Sequence, residues 1–338
     1  MTALPVLPAA GPAALAAAWI FAALVVIAGG RPLIAWLARS GAGKRVREDA
    51  PARHAGKAGT PTMGGLLIIA ALLLAAGLTG AATGLLGPTR SATDLGVGLA
   101  IVAVFAAVGA IDDALGLARG RNLGLRAREK FALQIPAAFL LGVYVLRQPH
   151  LGGAVAIPGT AARWDLGWGY PVFCLVLVVG MVNAVNLTDG LDGLAAGTVA
   201  ISAGALAAVA AWAGAGPAAV IAAATGGAAL GFLWHNAYPA GIFMGDVGSI
   251  GLGAALAVAG VLSKREILML LVAGVAVAEA LSVMLQVGWF KMTGGRRLFR
   301  MSPIHHHFEL SGWTEPQTVV RFWLCGALLA AAGIGLRP

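Results

Sequence analysis

The sequence predicts an all-α polytopic membrane protein, with about ten transmembrane helices in a single domain over residues 1–338. Three observations lead there. The chain is 59% hydrophobic and only 11% charged, where a soluble domain is about 25% charged. Its mean hydropathy is +0.87, and apolar runs of roughly 17 to 25 residues, the length that crosses a bilayer, recur along it. Basic loops also alternate with nearly neutral ones in step with those runs.

Ten spans are expected in order. Ala13–Ala38 is read as a retained helix, because no short signal-peptide pattern with a cleavage site accompanies it. Met63–Leu78 follows a Gly/Thr/Pro entry, and Leu95–Ile111 runs into two aspartates. Phe131–Leu146 follows a basic segment, and Val172–Val182 extends to Asn186 in a polar stretch. Leu194–Trp212 and Ala218–Trp234 are rich in small residues, and Val247–Leu262 begins directly after Asp246. Ile267–Phe290 is expected as one span although it carries Glu279 and Gln286, and Val319–Gly335 is the last. Their length makes them helices rather than buried strands. The 49 glycines suit close helix packing in a membrane. Cys174 and Cys325 lie inside apolar runs without metal or disulfide spacing, and are read as packing residues. The long loop Arg147–Tyr170 is compatible with a hairpin or a short surface helix.

An even number of spans puts both termini on one side. One set of loops then holds Arg39–Thr62, Asp112–Lys130, Asn183–Gly193, Asn236–Asp246 and Lys291–Gln317, and it carries most of the lysines and arginines. The positive-inside rule places that set in the cytoplasm and both termini outside. The formal charge of +9 is explained the same way, with an anionic substrate or lipid headgroup as a second cause. No basic-aromatic nucleic-acid motif appears, so no nucleic-acid partner is expected. Every unusual polar cluster falls in this one set of loops, as an active site requires.

Five clusters stand out. His54 to Gly65 is a Gly/Thr-rich turn leading into span two, read as an anion-binding helix start with Lys57 adding charge, or as a plain cap with Thr60 at N-cap and Pro61 first in the helix, two compatible readings. Asp112-Asp113 ends span three, where paired acids repel each other unless cations intervene, and acids at a helix C-terminus oppose the dipole. Such a pair suits divalent-metal binding or base catalysis. Asn183, Asn186, Asp189 and Asp192 recur every three residues and share a face if helical; otherwise Asp189-Gly190 is a tight turn with Asp192 capping the next helix. Asn236, Phe243 and Asp246 precede span eight, with Asp246 either an N-cap or a ligand beside Asp112 or Asp113. His305-His306-His307 in a loop suit phosphate contacts better than zinc, for which no second ligand pair is spaced. Glu279 and Gln286 sit on similar faces of span nine, with helix packing as an alternative role. Together this is equipment for Mg²⁺-assisted chemistry on phosphates at a membrane surface.

The ordered segments Gly59-Thr-Pro-Thr-Met-Gly-Gly65, Ile111-Asp-Asp113, Asn183 to Gly193, Phe243-Met-Gly-Asp-Val-Gly-Ser249 and Ser302-Pro-Ile-His-His-His-Phe-Glu309 resemble the bacterial phospho-N-acetylmuramoyl-pentapeptide transferases. These belong to the polyprenyl-phosphate N-acetylhexosamine-1-phosphate transferase superfamily. The resemblance implies a ten-helix homodimer in the bacterial plasma (inner) membrane, its active site facing the cytoplasm. It implies transfer of phospho-MurNAc-pentapeptide from UDP-MurNAc-pentapeptide to undecaprenyl phosphate, giving lipid I and UMP, with Mg²⁺. By motif position it assigns Asp246 as the Mg²⁺ ligand with Asp112 and Asp113 beside it, Asp112 as the group that deprotonates or orients the lipid phosphate, and His305 as part of the catalytic set. It assigns Lys57, Thr62, Asn183, Asn186, Asp189, Gly190, Asp192, Asn236, Phe243, Gln286, His306 and His307 to donor binding, with Phe243 stacking on uracil. The family's Asp-Asp-x-x-Lys ends here in Gly116, so either Arg119 or Arg121 substitutes for the lysine or the pocket differs locally. Two other readings remain: a UDP-N-acetylglucosamine transferase of the same superfamily, and, more remotely, an ion-coupled transporter, which predicts ionisable groups at mid-bilayer.

Overall fold

A computed structural model describes residues 10–40, 57, 59–87, 90–120 and 124–336. The elements are α1 (Pro12–Arg39), α2 (Gly65–Ala82), α3 (Arg90–Ala118), α4 (Ala127–Arg147), a hairpin of β1 (Ala154–Ala156) and β2 (Arg163–Asp165), then α5 (Tyr170–Thr188), α6 (Leu194–Trp212), α7 (Gly216–Asn236) and α8 (Gly245–Leu262). They continue with α9 (Glu266–Val272), α10 (Gly274–Met292), α11 (Ile304–Leu310) and α12 (Glu315–Gly335). Ten of the helices are long and apolar enough to cross a membrane. Proline stands in the first turn of α1, α5, α7 and α12, where its missing N–H costs nothing and its fixed φ suits the helix.

The core follows from small residues. α7 and α8 are buried over nearly their whole length, and α1, α2, α3, α5 and α6 pack around them. Their seams are glycine contacts: a Cβ on Gly227 would lie 2.1 Å from the Trp19 carbonyl oxygen, and one on Gly65 would lie 2.1 Å from the Gly248 nitrogen. Van der Waals packing of this kind is what holds helices together where lipid offers no hydrophobic drive.

Two details depart from expectation. The ninth span is not one helix: α9 and α10 meet at Ala273, whose φ of −91° and ψ of 24° leave the helical region. Hydropathy is continuous across the break, so no composition signal marked it. The loop after α4 forms the hairpin, with Val155 opposite Trp164 in antiparallel register, followed by a 3-10 turn at Gly167–Gly169.

The end of the bundle bearing the hairpin is more polar inside than its bland loops suggest. Glu266 is fully buried and accepts hydrogen bonds from Tyr170 Oη at 2.6 Å and from Lys264 Nζ at 2.7 Å. Lys264 also donates to the Gly152 carbonyl and lies over the Tyr170 ring. Asp94 accepts Tyr144 Oη at 2.6 Å and contacts His150 Nε2 at 2.8 Å. Removing one partner of a buried pair leaves the other charged and unsatisfied. Glu266→Ala is therefore expected to destabilise the protein by about 3 kcal/mol, read as a lower melting temperature in detergent. An unchanged melting temperature would show that water satisfies Lys264 and Tyr170 equally well.

Candidate active site

Three carboxylates converge from two helices. Asp112 and Asp113 lie near the C-terminal end of α3, and Asp246 lies in the first turn of α8. Gly109 makes the approach possible, since a Cβ there would stand 2.3 Å from the Asp246 carbonyl oxygen. The Asp113 carboxylate accepts the backbone N–H groups of Asp246 at 3.1 Å and Val247 at 3.0 Å. It thus satisfies two of the free donors that every helix start leaves. This resolves the acid at the wrong end of α3: its charge serves the positive N-terminus of α8. Asp246 itself is not the cap, because α8 begins one residue earlier and Met244 is its N-cap.

Asp112 is buried and doubly held. Its Oδ1 accepts the Leu125 N–H at 2.6 Å, and its Oδ2 lies 3.1 Å from Lys130 Nζ. Lys130 also reaches Asp246 Oδ2 at 2.5 Å. The cation at this centre therefore comes from the first turn of α4. Arg119, one expected substitute, donates instead to the Gly124 carbonyl at 2.8 Å and fastens the 124–126 segment; Arg121 lies outside the described residues. Sequence reasoning missed Lys130 as a site residue because it closes the basic run Arg126-Ala-Arg128-Glu-Lys130, which counted only toward topology.

Among the described residues, Asp112, Asp113 and Asp246 form the one acidic cluster whose ligand atoms all lie within 4.8 Å of one another. Oxygen-only donors on a rigid frame match the ligand preference of hard divalent cations. With Lys130 bridging two of them, three negative charges face one positive charge, so the centre retains a deficit a cation can fill.

A second network lies at the same end of the bundle. α5 ends at Thr188, and Gly193 takes φ 80° as N-cap of α6. Asp189 and Asp192 therefore lie in a turn, and the shared helical face expected for Asn183 through Asp192 stops at Asn186. Gly193, at positive φ, releases the chain there, while a side chain at Gly190 would collide with the His305 ring. Nor does Asp192 cap α6, which has no side-chain cap bond. Asp192 Oδ1 instead accepts Lys57 Nζ at 2.7 Å, and its Oδ2 accepts the Ala240 N–H at 3.0 Å. Glu315 at the start of α12 takes Lys57 Nζ at 2.5 Å and the Asp192 N–H at 2.8 Å on one oxygen. Asn236 is buried and accepts the Gly193 N–H at 3.0 Å while donating to the Ile242 carbonyl at 2.8 Å. Its amide thus clips the two turns together.

The other asparagines act between helices. Asn186 donates to Ser249 Oγ at 3.0 Å, tying α5 to α8. Asn183 donates to the Val179 carbonyl at 2.7 Å and to Gln134 Oε1 at 3.3 Å, tying α5 to α4.

The Thr60–Gly65 turn differs from both of its readings. The helix begins at Gly65 with Gly64 as N-cap, so Thr60 and Pro61 do not start it. The N–H groups of Gly64 and Gly65 donate to the carbonyls of Phe243 and Met244, and Phe243 N–H donates to Pro61. The helix start is consumed by this backbone clasp, which leaves Thr62 buried and Phe243 half-buried beside it.

The three histidines lie on α11 rather than in a loop, so they point in different directions. His305 is fully buried, 3.1 Å from Glu279 Oε2. A Cβ on Gly190 would stand 2.3 Å from its Nε2, so the ring backs directly onto the 189–193 turn. His306 pairs with Glu309 at 2.8 Å, and His307 Nδ1 accepts the Arg300 N–H at 3.1 Å. Gln286 is likewise engaged: it accepts the N–H groups of Leu298 and Phe299 and donates to the Phe299 carbonyl. Glu279 and Gln286 thus lock α10 to α11 and to the loop before it.

Comparison with known proteins identifies the family. Residues 95–264 match the profile of glycosyl transferase family 4, and residues 57–69 match phospho-N-acetylmuramoyl-pentapeptide-transferase signature 1. The phospho-N-acetylmuramoyl-pentapeptide-transferase of Geobacillus thermodenitrificans is 46% identical over 303 residues, 89% of this chain and 91% of that protein. The protein of that name from Moorella thermoacetica is 43% identical over 94% of this chain and 96% of its own. That from Desulfotalea psychrophila is 41% identical over 93% and 90%. The matches run through the acidic centre, both turns and the histidine helix, and the chain belongs to the phospho-N-acetylmuramoyl-pentapeptide transferase family.

Proposed function

We propose that this chain transfers phospho-MurNAc-pentapeptide from its UDP carrier to undecaprenyl phosphate, forming lipid I and releasing UMP. The observation that carries the reading is the acidic centre of Asp112, Asp113 and Asp246, set at the bundle end where α2, α4, α8 and α12 begin and α3, α5 and α7 end. In the reaction a phosphate oxygen of the lipid bonds to the sugar-bearing phosphorus of the donor. The bond from that phosphorus to the UMP oxygen breaks, and UMP leaves as an anion.

Asp246 and Asp112 are the groups to hold Mg²⁺, with Asp113 fixing the α8 start. A bound divalent cation supplies charge neutralisation for the diphosphate. Lys130 holds Asp112 and Asp246 in mutual register, and Asp112 orients the lipid phosphate. The Lys57–Asp192 turn, with Asn236 and Phe243 near it, receives the nucleotide end of the donor. His305 supports that turn from behind Gly190. The positive-inside asymmetry puts this face in the cytoplasm, where nucleotide sugars are available, and both termini outside. The protein works as a homodimer in the bacterial inner membrane.

The test supplies purified protein and undecaprenyl phosphate with either UDP-MurNAc-pentapeptide or UDP-N-acetylglucosamine, with and without Mg²⁺. UMP release is expected from the first donor alone and only with Mg²⁺. Release from the second donor alone would overturn the substrate assignment.

A further inference from the structure

From the Lys57 network we infer that Glu315 is a positioning residue for the nucleotide end of the donor. The inference rests on the donor pocket proposed above. Glu315 is the first residue of α12, and an acid there usually needs no explanation beyond the helix dipole. Here the start of α12 is already capped: Thr314 Oγ1 accepts the Gln317 N–H and Gln317 Oε1 accepts the Thr314 N–H. The Glu315 side chain is only 6% exposed, and its Oε1 accepts bonds from Lys57 Nζ and the Asp192 N–H. These partners are 258 and 123 residues away in sequence.

The bonds close a ring. Lys57 joins the Asp192 carboxylate to the Glu315 carboxylate, and Glu315 returns to the Asp192 backbone. One side chain thus fixes both the ammonium of Lys57 and the course of the 189–193 turn. Charge-assisted bonds of this length are the strong ones. Two of the three Lys57 protons are committed, and the ring carries two negative charges against one positive charge. It therefore disfavours a diphosphate and suits a neutral group rich in N–H and O–H donors, such as a pyrimidine and its ribose. Glu315 reaches the donor only through Lys57 and Asp192, so its effect belongs in donor affinity and not in the chemical step.

Glu315→Gln keeps an acceptor of the same length and removes the charge. It is expected to raise the KM for the UDP-linked donor about tenfold, the scale of a hydrogen bond to a charged group. The change in kcat should be less than threefold and the KM for undecaprenyl phosphate unchanged. Lys57→Met should produce a similar shift, and the double variant should fall short of the product of the two single effects, because both share the Lys57–Glu315 contact. Calorimetric binding of UMP should weaken to the same extent without turnover, so the outcome stands even if the donor is not UDP-MurNAc-pentapeptide. Should Glu315→Gln not fold, Glu315→Asp carries the test: it keeps the charge, shortens the reach, and should weaken UMP binding by a smaller factor. A fall in kcat matched by the loss of folded protein, at constant KM and constant UMP affinity, would overturn the inference. So would additive effects of the two substitutions.

Discussion

Asp246→Asn is expected to lower kcat for UMP release by about 10²- to 10³-fold, the usual loss on removing one preorganised electrostatic group. The substitution isolates charge from structure. Asparagine has the same shape, and its amide oxygen still accepts the Lys130 ammonium that Asp246 holds at 2.5 Å. The α8 start does not depend on this side chain, because Asp113 supplies the bonds to the Asp246 and Val247 N–H groups. Melting temperature should therefore change little. The Mg²⁺ concentration for half-maximal residual activity should rise, since the acidic centre loses one of its three negative charges. The measurement is initial UMP release at saturating donor and lipid over a Mg²⁺ titration. Activity within tenfold of the parent at an unaltered Mg²⁺ requirement would remove Asp246 from the reacting centre. Asp113→Asn gives the contrast: it should cost stability as well as activity, because that carboxylate is built into the beginning of a helix.

The difference between these two aspartates shows what the sequence reveals and what it hides. Long apolar runs and the alternation of basic loops are properties of one-dimensional order, so the ten spans and the gathering of polar clusters at one end could be read directly. That Asp246 can join Asp112 or Asp113 was legible in residue type and in the shared end of their spans, and the family resemblance assigned it. Their division of labour was not legible, because Asp113 caps a helix more than a hundred residues away. Lys130 was concealed in a basic run that serves topology, and Glu315 was concealed at a helix start where acids are ordinary. The α9–α10 break was silent because Ala273-Gly274 is as apolar as its surroundings. The helical spacing of Asn183, Asn186, Asp189 and Asp192 misled for the opposite reason: a regular interval in sequence continued across the turn between α5 and α6, which Gly193 makes at φ 80°. Local pattern sets where helices run, and the contacts between their ends decide which polar residues meet.

Lys130→Met carries the second large effect, and its size depends on Mg²⁺. Lys130 reaches Asp112 Oδ2 at 3.1 Å and Asp246 Oδ2 at 2.5 Å, with Asp113 in the same cluster. Removing the ammonium leaves three carboxylate oxygens within 4.8 Å of one another and no side-chain cation across Asp112 and Asp246. Stripping one partner from a largely buried ion pair costs about 3–5 kcal/mol. The Lys130 side chain is 21% exposed, so the lower end, about 3 kcal/mol, is expected. A divalent cation that binds only the folded centre returns stability by mass action, so the loss in melting temperature should be large in EDTA and much smaller in saturating Mg²⁺. Turnover should not recover in parallel. Without Lys130 its ammonium no longer sets the spacing of the Asp112 and Asp246 carboxylates, and kcat is expected to remain about 10²-fold down even in saturating Mg²⁺. Lys130→Arg keeps the charge on a planar fork of different reach, so it should retain more stability than Lys130→Met while still losing turnover. Equal losses of melting temperature with and without Mg²⁺ would mean that the ammonium and the metal do not act on the same carboxylates. Full turnover in Lys130→Met would mean that the ion pair only holds α4 against α3 and α8.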